Sequence, residues 1–175
     1  MSKFHELLNW GPVSAVRRNH GLEHATLNLL AVDLPRQPFS GHSDSKGFWI
    51  IGEIGTEQLL DTVNRALARM RAGERGLAVH PYCGTNFVTT GLIAGTLAWL
   101  AGLIGANNFK KKLERWPLII MVVTAAAIFS RPLGPMVQAR ISTSGTPGAL
   151  MVRQIVQYQR NGVTFHRITT RDAGS

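Results

Sequence analysis

The chain has 175 residues, with 19 Lys and Arg against 10 Asp and Glu, a net charge of +9. That length suits one ordinary domain. The basic residues are scattered, in short runs such as Arg17-Arg18 and Lys110-Lys111-Lys112. No aromatic-interleaved basic stripe or nucleic-acid motif accompanies them, so the excess charge argues for an anionic membrane surface and against nucleic acid. The single cysteine, Cys83, has no partner within the chain for a disulfide and implies no oxidising compartment.

Met1 to Asn9 reads as a short amphipathic piece carrying Phe4, Leu7 and Leu8, too polar for a signal peptide. A helix is expected from about Val13 to Ala31, with Pro12 in its first turn and Ser14 as a cap. Val13, Val16, His20, Glu23/His24, Leu27 and Leu30 follow at helical spacing, so the polar patch continues an apolar stripe and faces inward. Within it His20-Gly21-Leu22-Glu23-His24 reads H-x-x-E-H. Residues three and four apart share a helix face, so two imidazoles converge to grip one metal ion, with a carboxylate beside them to act as general base. The other reading of the patch is a buried His/Glu hydrogen-bond cluster that fixes helix packing.

Asp33 to Asp44, with His42 and Asp44, reads as a loop. Gly47 to Ile54 is expected to be a strand and Glu57 to Ala72 a helix, capped by Thr56 and ended by Gly73, with a core stripe of Leu59, Leu60, Val63, Ala66, Leu67 and Met70. Leu77 to His80 reads as a short strand stopped by Pro81. The segment His80-Pro81-Tyr82-Cys83-Gly84-Thr85-Asn86 follows, in which Thr85 or Asn86 caps the next helix. His80 and Cys83 are candidate metal ligands or a Cys-His nucleophile pair. The alternative is a surface turn with an inert thiol.

Phe87 to Ala106 is 20 residues without a charge, enough to span a bilayer as a helix. A second apolar run begins at Pro117 and is interrupted at Arg131 and Pro132. The two predict a transmembrane hairpin joined by a basic connector; the alternative is a buried hairpin of a soluble protein. Gly91 and Gly95 form G-x-x-x-G, which lets another helix approach closely, either the second run or another copy in a homo-oligomer. By the positive-inside rule the connector favours the cytoplasm. Yet Arg69, Arg71, Arg75 and Arg131 also flank the spans, and exporting roughly 86 residues ahead of them without a signal is demanding. The expected location is a bacterial inner membrane, multi-pass, with the soluble part cytoplasmic. Beyond Val137, Val152 to Gln159 and Val163 to Thr169 read as a β-hairpin turning at Asn161-Gly162, and Arg171 to Ser175 as a frayed end.

Arg18-Asn19-His20-Gly21-Leu22-Glu23-His24-Ala25-Thr26 together with His80 to Asn86 resembles an uncharacterised family of small bacterial membrane proteins that carries a domain-of-unknown-function label. The resemblance covers about Arg17 to Phe129 and implies no activity. The five-residue motif separately resembles the inverzincin metallopeptidases. Those enzymes are larger and take a third ligand, a Glu, from another helix; only Glu74 and Glu114 stand downstream here, one too close and one in the connector.

The expected fold is α+β. Two helices pack on a small sheet made from the two central strands and the C-terminal hairpin, with a transmembrane hairpin inserted. Residues 1–86 form the N-terminal part, 87–137 the hairpin and 138–175 the closing β-hairpin. The expected function is a membrane-anchored, zinc-dependent hydrolase acting on peptides. His20 and His24 hold Zn²⁺, His80 or Cys83 supplies the third ligand with Glu53 behind them, and Glu23 is the general base. The competing expectation is a non-enzymatic assembly or scaffold protein whose His/Glu/Cys cluster is structural.

Overall fold

The computed structural model describes residues 3–103 and 113–173. Lys110 to Lys112, the end of the first apolar run at 104–106 and the final residues 174–175 fall outside these. The chain is α+β and divides into two compact units, residues 1–80 with 139–175, and residues 81–138.

The first unit contains α1 (Lys3–Asn9), α2 (Gly11–Asp33), β1 (Ser40–Asp44), β2 (Gly47–Ile51), α3 (Thr56–Arg71), a 3-10 turn (Arg75–Ala78), β3 (Leu150–Arg160) and β4 (Val163–Asp172). The strands form one antiparallel sheet in the order β1-β2-β4-β3. Two local hairpins are thus joined by a non-local pairing, with Phe48 opposite Ile168 and Ile50 opposite His166. Helices α2 and α3 pack on this sheet and on each other. The core gathers Leu22, Ala25, Leu29 and Leu30 from α2, Phe48 and Ile50 from β2, Leu59, Val63 and Met70 from α3, and Ile168 from β4. Each large apolar side chain so buried contributes about 1.5–3 kcal/mol.

The β3–β4 turn is Asn161-Gly162, with φ of 52° and 75°, the left-handed pair that a two-residue hairpin demands. The end of α3 is a Schellman closure: Gly73 N–H donates to Met70 O and Glu74 N–H to Arg69 O.

Several expectations are corrected. Asp33–Asp44 is not all loop, because Ser40–Asp44 forms β1 against β2. Leu77–His80 is not a strand: Arg75–Ala78 is a 3-10 turn. The cap of α3 is Gly55, and Thr56 is its first helical residue. Leu60 is exposed, while Thr62 is buried and donates to Gln58 O within the helix. Ser14 lies inside α2, whose cap is Trp10. Strand β4 runs to Asp172, whose carboxylate pairs with the Arg18 guanidinium, so the chain is ordered past Arg171.

The second unit holds α4 (Gly84–Leu103), α5 (Trp116–Phe129) and α6 (Leu133–Val137), followed by a π turn at Gln138–Ser142. Helix α4 packs against α5 and α6. It is long and apolar enough to cross a membrane. It buries no residue, leaving Phe87, Leu92, Trp99 and Leu103 exposed, which is not how a core helix of a soluble domain behaves. Helix α5 and the helical stretch after it meet at a 50° bend. Pro132 stands at that bend, where the missing N–H ends the first helix. A side chain added at Gly91 or Gly95 would meet nothing within 4 Å, so α4 does not use these glycines to approach α5.

On the inward face of β4, His166 is fully buried beside Ile168 and Thr164. Burial lowers its pKa, against the opposing pull of the Glu53 carboxylate. The folded chain therefore binds fewer protons at this site than the unfolded chain, whose histidine titrates near 6.5. Stability from this site is complete above about pH 6.5 and is lost as pH falls toward the lower, folded value. Thermal melting between pH 5 and 8 is expected to show the melting temperature falling on the acid side, with a shallower fall in His166→Leu; equal slopes would refute it.

Candidate metal centre

Helix α2 brings the motif together as its spacing requires. The His20 and His24 rings lie edge to face with centroids 4.3 Å apart. Each ring is oriented by a backbone carbonyl. His20 Nδ1 lies 3.0 Å from Ser142 O, and His24 Nδ1 lies 2.9 Å from Ala78 O. A carbonyl oxygen only accepts, so both Nδ1 atoms carry the proton and both Nε2 atoms present a lone pair. This is the arrangement in which metal-binding histidines are held, with the second nitrogen donating to a carbonyl. His24 is buried and His20 half-buried.

The residues between the histidines serve this geometry. A Cβ at Gly21 would stand 2.2 Å from Ser144 O, so only glycine lets the segment leaving the second unit lie directly on α2. Ser144 N–H donates to Arg17 O there at 2.8 Å. The Arg17 guanidinium donates to Ile141 O at 2.7 Å and to Arg140 O and Thr143 O at 3.1 Å, collecting the carbonyls left open where the π turn ends. Glu23 is 4% exposed, and a Cβ at Gly41 of β1 would come within 2.5 Å of its Oε1. The carboxylate thus lies against the β1 backbone.

His80 follows the 3-10 turn, its ring centroid 5.6 Å from that of His24. Asn28, one turn beyond His24, donates from Nδ2 to Leu77 O and Val79 O, both at 3.0 Å. These bonds occupy carbonyls that a strand would have offered to a neighbour. Cys83, three residues after His80, is buried in the position just before α4. Thr85 N–H points at its sulfur at 3.5 Å, and Asn86 N–H donates to its carbonyl at 3.0 Å. Cys83, and not Thr85 or Asn86, therefore occupies the capping position. The positive end of a helix dipole favours a thiolate there. Asn86 serves instead to tie its own unit, donating to Pro81 O at 2.7 Å and accepting from Gln138 Nε2 at 2.5 Å.

Other sequence candidates are engaged elsewhere. Glu53 accepts a hydrogen bond from Thr164 Oγ1 at 2.7 Å in the loop after β2. His42 lies exposed in β1, and Asp44, at the end of that strand, accepts from Arg167 at 2.9 Å. Sequence reasoning overlooked Asn19, which is fully buried. It donates to Asp44 O at 2.9 Å and accepts from Thr170 Oγ1 at 2.7 Å, linking α2 to β1 and β4. An amide on the motif's own helix, one residue before His20, was the available signal. Asn28 was likewise readable as the next residue on the His24 side of the helix.

An α+β domain with a histidine-bearing central helix and an inserted apolar helical unit is the class that this geometry defines. A family model described as "Domain of unknown function (DUF6391)" matches residues 15–155, and the chain belongs to that family. An uncharacterized protein of Picosynechococcus sp. (strain ATCC 27264 / PCC 7002 / PR-6) is 38% identical over 98 residues, 49% of this chain and 48% of that relative. The chain thus spans about half the length of the curated relative it matches. No solved structure matches.

Gly21→Ala is expected to destabilise the protein by about 1–3 kcal/mol, the usual cost of overpacking a tight contact. Gly11→Ala, at an open position of the same helix, is the control. Comparable melting temperatures for the two variants would show that the Gly21 contact does not matter.

Proposed function

We propose that the protein is a membrane-anchored, metal-dependent hydrolase in which His20, His24 and Cys83 hold one divalent ion, most simply zinc. The observation that carries this reading is the pair of Nδ1–carbonyl hydrogen bonds, which leaves both Nε2 atoms of adjacent histidines as lone-pair donors on one helix face. The donor set of two imidazoles and a thiol suits a metal ion of borderline softness. Chain connectivity favours Cys83 as the third donor, since it follows His80 by three residues, and His80 is the alternative. Three protein donors leave a fourth position for water, the pattern of a catalytic site rather than a closed structural one. A zinc ion held there supplies Lewis acidity and brings the pKa of a bound water to about 7.

The chain's own chemistry then follows. Glu23, one helical turn from His20, accepts a proton from the attacking water and returns it to the leaving amine of a peptide. Ser142 O and Ala78 O keep the imidazoles in one tautomer throughout. The apolar surfaces of α4 and α5 anchor the site to a lipid bilayer as a hairpin in a bacterial inner membrane, with the first unit in the cytoplasm and Gly91 and Gly95 available to a second copy. A second reading draws on the burial of Glu23 against β1. In it the cluster is a structural centre of an assembly or scaffold protein, and Glu23 is a packing group.

The two readings separate on substitution. In the hydrolase, Glu23→Gln keeps the metal and lowers peptide cleavage by about 10²–10⁴-fold, whereas His20→Ala and His24→Ala lose the metal. In the scaffold, Glu23→Gln lowers stability by about 1–3 kcal/mol, and no cleavage is found in any variant. Purified protein that carries no metal and takes up no zinc when supplied ends the metallohydrolase reading.

The membrane anchor has its own test. Isolated membranes washed with carbonate and then with high salt are expected to retain the protein, because salt screens attachment through the +9 charge but not burial of α4. Recovery in the wash would refute the transmembrane hairpin.

A further inference from the structure

We infer that Asn28 is a positioning residue of the metal centre: its side chain clamps the backbone that delivers the third donor. This rests on the metal-binding reading above. Helix α2 presents His24 and Asn28 one turn apart, and between them they grip three consecutive carbonyls. His24 Nδ1 holds Ala78 O at 2.9 Å, and the two hydrogens of Asn28 Nδ2 reach Leu77 O and Val79 O at 3.0 Å each. A carboxamide is the side chain of this length that donates twice from one nitrogen. The carbonyls it takes flank the one that orients His24, so the same short segment is both the orienting partner of one donor and the tether of the next. His80 and Cys83 are one and four residues beyond Val79, and the freedom of either donor is set by how firmly residues 77–79 are held.

The physical argument turns on what replaces the clamp. In Asn28→Asp the side chain keeps its size but no longer donates, and a carboxylate faces two carbonyl oxygens. The 77–79 segment is then repelled from α2, Ala78 O is drawn away from His24 Nδ1, and the third donor is no longer pre-placed. The two Nε2 donors stay on α2. The centre therefore changes from a three-donor site to a two-histidine site, rather than disappearing. Outer partners that orient metal ligands are commonly worth 10- to 100-fold in affinity.

The test uses the full chain in detergent micelles, with Co²⁺ as the probe, because a thiolate ligand adds a sulfur-to-cobalt charge-transfer band that histidine ligands do not give. Wild type is expected to show that band, and Cys83→Ser to lack it. Asn28→Asp is expected to keep its far-ultraviolet circular dichroism, lose most of the thiolate band and bind Co²⁺ 10- to 100-fold more weakly. Asn28→Ser, which leaves room for water at the two carbonyls, covers the case in which the aspartate variant fails to fold, and is expected to weaken the band in the same way. Thr62→Ala on α3 is the control for general loss of stability and should retain the band in full. An unchanged band and affinity in both Asn28 variants overturns the inference, as does loss of the band in the Thr62 control. A wild-type protein that takes up no Co²⁺ overturns the metal reading itself, and a wild type that binds Co²⁺ without a thiolate band removes Cys83 from the site.

Discussion

Two hydrogen bonds, each from an imidazole Nδ1 to a backbone carbonyl, tie the structure together. Ala78 is among the last residues before the inserted helical unit and Ser142 among the first after it. One helix therefore holds the chain on both sides of the insertion, with a histidine for each. The bonds are short, and one of them is removed from water, which is where a hydrogen bond is most costly to break. Around them the local sequence has little choice: Gly21 must lack a side chain, and Arg17 must be long and multiply donating.

This double use bears on how the H-x-x-E-H pattern is to be understood. The same Nδ1 bonds that leave Nε2 lone pairs for an ion also hold the fold. Histidine is suited to both because its two nitrogens face opposite ways and take opposite roles in the neutral ring. A purely structural tie would need one donor per residue, and asparagine or serine would supply it. That two imidazoles stand here, with a thiol three residues beyond His80, is what tilts the centre toward metal chemistry.

The parts of the fold that follow from local chemistry were legible in the sequence. The helix bearing the motif, α3 with its glycine stop, and the Asn-Gly hairpin all arise from neighbours in the chain. What was not legible depends on partners far away. Ser40-Gly41-His42-Ser43-Asp44 has no apolar alternation, and it becomes a strand because β2 lies beside it and Glu23 lies against its glycine. Leu77-Ala78-Val79 has the composition of a strand, yet its carbonyls are taken by His24 and Asn28, so no ladder forms. The buried face of α3 includes Thr62 in place of Leu60 because the hydroxyl satisfies itself on Gln58 O, which makes a threonine tolerable in a core. In the candidate site, the paired histidines were visible from spacing alone, whereas the carbonyls that set their tautomer were not, since a carbonyl has no sequence signature.

The pairing of β2 with β4 has a consequence for synthesis. Phe48 meets Ile168 across a separation of about 120 residues. At a translation rate of roughly 5–20 residues per second, β2 waits some 6–24 s for its neighbour to emerge. During that interval the apolar helical unit leaves the ribosome, while Leu22, Phe48 and Ile50 lack their final covering strand. The unit beginning at Pro81 has no such dependence, because its helices are neighbours in sequence. The nascent chain therefore forms its inserted part first and closes the domain around the histidine helix last, which makes the C-terminal hairpin the step that commits the chain to its folded state.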